Sequence, residues 1–235
     1  MSRLALRAAR WCGAAHLVAL PALPVTAQLP PGVTAGPWID LLAGGAAAHW
    51  RSYREPTLEN GWRYDAATKI LRREAGRDIV TLRQFGDFEL EVEWKVGPKG
   101  NSGIFYRATE ATDRIYENAP EMQILDNVGH RDGGSPLTSA GANYALHAPP
   151  RDVSKPAGEW NRARIVAIGS HVEHWLNGVK LLEYEQGSPA WTALVAKSKF
   201  AQWPPYGLAM RGHIGLQDHG DVVEFKNLRI RELSR

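Results

Sequence analysis

The chain reads as all-β, a β-sandwich or jelly roll with one short helix. Three observations predict this. Phe88-Glu89-Leu90-Glu91-Val92-Glu93-Trp94 alternates apolar and acidic residues without a break, which places four apolar side chains on one face of a strand and three glutamates on the other. Between Arg164 and Tyr184, short apolar runs are separated by Gly169-Ser170 and Asn177-Gly178. Asn-Gly suits a two-residue hairpin turn, because both central positions need φ > 0. Helical periodicity is weak outside Pro189 to Lys199, where Ser188 can cap and Pro189 can open the first turn.

Taken in order, residues 28–37 are a Pro/Gly-rich linker with no regular structure expected, and residues 38–235 are the folded domain. Residues 40–60 mix small residues with a turn-like stretch. The run 88–94 is a half-buried strand with one wet face. Gly97-Pro98-Lys99-Gly100 turns the chain into a strand over Asn101 to Arg107, so the two should form a hairpin. Glu121 to Leu125 is the next strand and leads into a Gly-rich loop over 127–143. Strands over 164–168, 172–176 and 179–184 precede the helix; strands over 212–216 and 222–230 follow it. Many short strands and one helix argue for a sandwich.

The N-terminus has the pattern of a secretory signal peptide over residues 1–27. Arg3, Arg7 and Arg10 precede a small, apolar stretch, and Val25-Thr26-Ala27 supplies the small residues for cleavage after Ala27. That predicts a periplasmic or secreted protein. The formal net charge of +3 belongs to this leader, because without its three arginines the chain has 25 basic and 25 acidic side chains. The basic isoelectric point is therefore no sign of nucleic-acid binding. The single cysteine, Cys12, lies in the leader. Disulfides, a thiol nucleophile and cysteine-ligated metals are thereby excluded from the rest. No later run is apolar and long enough to span a membrane.

Eight tryptophans lie beyond the leader. Trp160 and Trp203 sit among polar or Pro-rich residues and are the ones expected to be exposed for stacking on a sugar ring. In Glu121-Met122-Gln123-Ile124-Leu125-Asp126, parity puts Glu121 and Gln123 on one face and Met122 and Ile124 in the core. Asp126 joins the polar face if the strand bulges. The offsets are similar to the Glu-x-Asp-x-x-Glu strand of laminarinase-type β-glucanases. Here Gln stands for the middle Asp and Asp for the acid Glu, which weakens a two-carboxylate reading. Asn101 and Arg107 share a face by parity, with Gly103 leaving space between them. Gln217 and His219 share a face near the C-terminus. His171 and His174 have metal-like spacing, but on a strand they fall on opposite faces.

The runs GNSGIFYR, EMQILDN, GEWNRARI, HWLNG, SKF and GHIGLQDHGDVVEFKNLRI, in this order, strongly resemble the 3-keto-disaccharide hydrolase domain family, from about Trp38 to Leu233. The resemblance implies a concanavalin-like jelly-roll β-sandwich of two antiparallel sheets. It implies action on glycosides already oxidised at C3 and exported proteins that work beside sugar 3-dehydrogenases. A C3 ketone acidifies the C2 proton, so a base can form the enolate, the C1 substituent leaves, and water adds back. One base and one oxyanion-stabilising group suffice. On that reading Glu121 is the base, and Arg107, His219 or a divalent cation stabilises the oxyanion. Asn101, Gln123, Asp126, His147, Trp160, Asn161, Lys199 and Gln217 are the expected substrate contacts. Two alternatives stand: a β-glucanase-type glycoside hydrolase, and a non-catalytic carbohydrate-binding module.

Overall fold

A computed structural model describes residues 29–235; the leader expected over 1–27 lies outside the described residues. The chain runs through β1 (Thr34–Ala35), β2 (Ile39–Asp40), β3 (Trp50–Ser52), β4 (Trp62–Asp65), β5 (Ile70–Arg73), β6 (Ile79–Thr81), β7 (Phe88–Val96), β8 (Asn101–Ala108) and β9 (Glu121–Leu125). It continues through β10 (Asn161–Ile168), β11 (His171–Leu176), β12 (Val179–Glu185), α1 (Pro189–Ala196), β13 (His213–Leu216) and β14 (Val223–Ser234). Two antiparallel sheets form a sandwich. The nine-stranded sheet has the order β12-β11-β10-β7-β14-β5-β4, with β1 and β2 also paired to β14, and the five-stranded sheet has the order β3-β6-β13-β8-β9.

Period-two patterning explains the core. Phe88, Leu90, Val92, Trp94 and Val96 of β7 are buried against Ile104 and Tyr106 of β8, Met122 and Ile124 of β9, and Ile214 and Leu216 of β13. The opposite face of β7 is less wet than its sequence suggests. Glu89 is only 2% exposed and is held by Arg164 and Arg231. Glu91 is paired with Arg162 and Arg229, and Glu93 with Lys226. Cross-strand ion pairs thus tile the outer face of the large sheet.

Gly169-Ser170 joins β10 to β11, and Asn177-Gly178, with φ of 50° and 82°, joins β11 to β12. The turn at 97–100 makes no hairpin. β7 is flanked by β10 and β14, whereas β8 pairs with β13 and β9, so this turn carries the chain from one sheet to the other. Both edges of β7 already have partners, which leaves β8 no place beside it. The linker is also partly ordered: Thr34 and Ala35 pair with Ser234 and Leu233. The helix stops at Ala196, capped at its start by Ser188 Oγ, which accepts from Trp191 N at 3.1 Å. A separate 3₁₀ turn, Lys199–Gln202, follows under its own cap, Ser198.

Candidate active site

The five-stranded sheet buries one face in the sandwich and turns the other outward. Residues of the outward face alternate with the core residues. On β9 these are Glu121 and Gln123; on β8 they are Asn101, Gly103 and Phe105. Gln123 pairs with Gly103, and Glu121 with Phe105. Beyond the end of β13, Gln217 N donates to Gly103 O at 2.9 Å, which brings Gln217 into the same row.

Gly103 shapes the centre of this face. A β-carbon there would lie 2.0 Å from Glu121 Oε1 and 2.7 Å from its carboxyl carbon. Glu121 can therefore fold flat across β8 toward β13 only because residue 103 has no side chain. A cavity of about 150 Å³ opens above, lined by Asn101, Tyr116, Glu121, Gln123, Tyr144, Lys199, Gln217 and His219. Six of these are residues singled out from sequence: Asn101, Glu121, Gln123, Lys199, Gln217 and His219.

Glu121 is 5% exposed. Burial pushes its pKa up to about 8; Lys199 opposes that shift, the charge of Asp78 adds to it, and a hydrogen bond from Gln217 opposes it. With its amide in the orientation that satisfies both ends, Gln123 donates to Glu121 Oε1 at 3.1 Å and to Ser102 O at 3.3 Å. Lys199 stands at the rim. Its Nζ lies 4.3 Å from the ring centre of Tyr144, 5.3 Å from Phe200 and 5.9 Å from Tyr116. Desolvation lowers its pKa from the usual lysine value, against the pull of Glu121 and Asp132. His219 Nε2 is 3.4 Å from Asn101 Nδ2, and its Nδ1 is 3.7 Å from Asp221. Gln217 Oε1 is buried without a hydrogen-bond partner, an acceptor left free for a substrate hydroxyl.

Arg107 is absent from this cavity, contrary to its parity. Tyr106 and Arg107 together oppose Ile214 on β13, a β-bulge with Arg107 in the left-handed region at φ 53°. The bulge re-aims the guanidinium into the interior. There it donates to Gln186 Oε1 at 2.9 Å and to Gly169 O at 2.7 Å, with no exposed surface.

Asp126 likewise lies outside the cavity lining. Its carboxylate accepts backbone N–H bonds from Lys99, Val128 and Gly129 at 2.8, 3.2 and 3.1 Å, tying the inter-sheet turn to the loop after β9. His147 stacks on Tyr184 at 4.8 Å and bonds Asn143 at 2.9 Å. Trp160 lies on the outer face of the large sheet, with Lys226 and Lys95 over its ring at 4.1 and 4.9 Å. Asn161 accepts from Lys155 N and Asn177 Nδ2, both at 2.8 Å, and braces a loop. Trp203 is partly buried and packs edge-on against Tyr116 at 5.6 Å.

Sequence reasoning missed three residues of the site. Tyr116 and Tyr144 arrive on segments with no periodicity. The loop after β9 folds back along that strand, with Tyr144 N donating to Glu121 O at 3.0 Å and Gly141 N to Gln123 O at 2.9 Å. This covers an exposed sheet edge and carries Tyr144 over the cavity. Asp78 precedes β6, in the row beside Gln217. Its Oδ1 accepts from Asp218 N at 2.8 Å, steadying the segment that bears Gln217 and His219. Burial raises Asp78 to about pKa 6.

Glu121 is the one carboxylate among the cavity-lining residues, so the divalent cation considered from sequence finds few ligands there. Among the described residues, the cluster with metal-ligand spacing is His171, Glu173 and Glu183. It lies at the β11–β12 hairpin, where Lys180 Nζ reaches Glu183 at 2.6 Å and Glu173 at 3.5 Å. His174 sits on the other side of β11, fully buried, bonding Tyr106 Oη at 2.9 Å and Gly141 O at 3.1 Å.

Comparisons with known proteins agree with this architecture. Residues 37–231 match the family described as a 3-keto-alpha-glucoside-1,2-lyase-like domain. A 3-keto-disaccharide hydrolase of Bacteroides thetaiotaomicron is 36% identical, over 88% of this chain and 81% of that protein. A crystal structure of a Parabacteroides distasonis protein assigned as a glycosyl hydrolase superposes with a TM-score of 0.77 at 30% identity, covering 84% of this chain and 94% of that one. A Bacillus subtilis protein with a galectin-like fold superposes at 0.55 and 14% identity, over 86% and 97% of the two chains, which speaks to the jelly-roll fold alone. The chain is a hydrolase-like enzyme of glycoside hydrolase type, and it belongs to the 3-keto-alpha-glucoside-1,2-lyase-like family.

Proposed function

We propose that the protein cleaves 3-keto-glycosides, 3-keto-disaccharides among them, by C2 proton abstraction, elimination and hydration. The observation that carries this reading is a single buried carboxylate beside an amine in one small cavity. Ordinary glycoside hydrolysis needs two carboxyls flanking the bond, about 5–9 Å apart. The residue at the second-acid offset, Asp126, is locked to three backbone N–H groups outside the cavity. An elimination next to a ketone needs one base and one group that draws electrons from the carbonyl. Glu121, raised to about pKa 8, is a strong base for a carboxylate when ionised. Lys199 takes the role expected of Arg107. Asn101, Gln217 and His219 offer hydrogen bonds to ring hydroxyls, and Tyr144 and Tyr116 wall the site.

The 36% identity to a protein described as a 3-keto-disaccharide hydrolase supports the same reading. We also propose export by cleavage after Ala27 and work beside a sugar 3-dehydrogenase that supplies the ketone; N-terminal sequencing of the exported protein should then begin at Gln28. The direct assay is incubation of purified protein with 3-keto-trehalose and, separately, trehalose. Release of glucose from the oxidised sugar alone is expected. Equal turnover of unoxidised glycosides would point instead to a β-glucanase-type hydrolase, and binding without turnover to a carbohydrate-binding module.

A further inference from the structure

We infer that Lys199 is a covalent catalyst, its Nζ condensing with the substrate's C3 carbonyl so that an imine, not the ketone, is the species Glu121 deprotonates. The inference rests on the proposed 3-keto-glycoside reaction and goes beyond it in naming how the carbonyl is activated.

The surroundings of Nζ carry the inference. Lys199 is the one primary amine among the residues lining the cavity. Lys95 and Lys226 also lie over an aromatic ring, that of Trp160, yet each pairs with a carboxylate, Glu224 at 2.5 Å and Glu93 at 3.5 Å. Among the described residues, Lys199 Nζ has no such ion pair; its neighbours are the rings of Tyr144, Phe200 and Tyr116. Lys199 is exposed, so its amine is open to a substrate carbonyl, and a lysine amine so placed, with ring neighbours in place of a counter-ion, can form a Schiff base with that carbonyl. Desolvation does lower its pKa from the usual value.

The arm that carries Lys199 is firmly seated. Ser198 Oγ caps the turn at Phe200 N, 3.1 Å away, and the Phe200 ring stacks on Tyr206 at 3.9 Å. Glu121 and Lys199 influence each other's ionisation without forming an ion pair. Both line the one cavity, where a bound substrate's carbonyl would meet base and amine together.

The steps balance without any redox partner. Ammonium and ketone give a protonated imine and water. The Glu121 carboxylate takes the C2 proton, and the C–H electron pair forms the C2–C3 double bond of an enamine as the nitrogen becomes neutral. The enamine electrons then form the C1–C2 double bond and expel the C1 oxygen substituent, which takes its proton from the Glu121 carboxylic acid. This restores the protonated imine. Water adds at C1 with return of a proton to C2, and a second water hydrolyses the imine to ketone and ammonium. The net reaction is 3-keto-glycoside plus water to 3-keto-sugar plus alcohol.

The test uses sodium cyanoborohydride, which reduces iminium ions, with the full protein and a 3-keto-glucoside. Intact-mass and peptide analysis should find a sugar adduct on Lys199 in the wild type, and more of it in Glu121→Gln, where the imine forms but is not deprotonated. Lys199→Arg keeps the charge but cannot form an imine. It should keep the wild-type melting temperature, give no adduct and lose turnover by about a hundredfold or more. Lys199→Arg within tenfold of wild-type turnover, or a turning-over wild type that yields no adduct, overturns the covalent role and leaves the proposed reaction standing. A wild type that turns over no 3-keto-glycoside overturns both.

Discussion

Glu121 lies flat on β8 because residue 103 is glycine, and that contact sets the base's position and its burial together. Gly103→Ala places a methyl where Glu121 Oε1 now sits. The displaced atoms are the far end of a flexible side chain, so the fold should survive with little loss of melting temperature. Turnover of a 3-keto-glycoside should fall by about tenfold or more, because the base leaves its productive geometry. The raised pKa of Glu121 also fixes the pH profile. A base ionises as pH rises, so kcat/KM should climb toward a plateau above about pH 8. Stability has the opposite sign. A carboxyl whose folded pKa is raised favours the fold below its usual value of 4.5, and that contribution is lost as pH rises through about 8. Glu121→Gln should abolish turnover at every pH and remove the stability dependence, which rate assays and pH–melting curves will show. At this scale much was legible. Side-chain alternation alone paired Glu121 with Gln123 and set both opposite Met122 and Ile124. His147, Trp160 and Asn161 were placed by motif position, and they turned out to stack, cover a sheet face and brace a loop.

At the scale of elements, one bulge separates expectation from structure. Parity along β8 holds from Asn101 to Phe105 and fails at Arg107, where two residues oppose one on β13. Nothing in NSGIFYR marks that extra residue, because a bulge is set by the register of the partner strand and not by local propensity. The consequence is a structural role for Arg107. It joins Gln186, Gly86 and Gly169 at the meeting of several loops. Arg107→Leu should strand these acceptors, cost about 2–4 kcal/mol, and lower the melting temperature by roughly 5–10 °C. The KM for substrate should change little, since the side chain is remote from the cavity. The turn at 97–100 departs from the expected hairpin for a related reason. A Gly-Pro turn announces a reversal, but whether the next strand pairs with the previous one depends on which edges are already taken.

The whole molecule divides its two outer faces by task. The nine-stranded sheet carries cross-strand ion pairs and capped tryptophans, and among the described residues its buried face supplies the long apolar strand β7. The five-stranded sheet carries the cavity, roofed by segments that sequence patterning could not place: the loop after β9, the turn before it and the Lys199–Gln202 turn. Fold class and the strand floor of the site were thus readable from periodicity, whereas its walls depend on long-range packing. The claim that unites the two scales is chemical: the oxidised ring gives up its C2 proton to Glu121. Turnover of a 3-keto-glycoside in D₂O tests it most directly. Elimination followed by hydration puts deuterium at C2 of the released 3-keto-sugar, above the level in product kept without enzyme, and Glu121→Gln should abolish both release and labelling. Wild-type release of a product with no deuterium gained at C2 would mean that the C1 bond is broken by direct hydrolysis, contradicting the account.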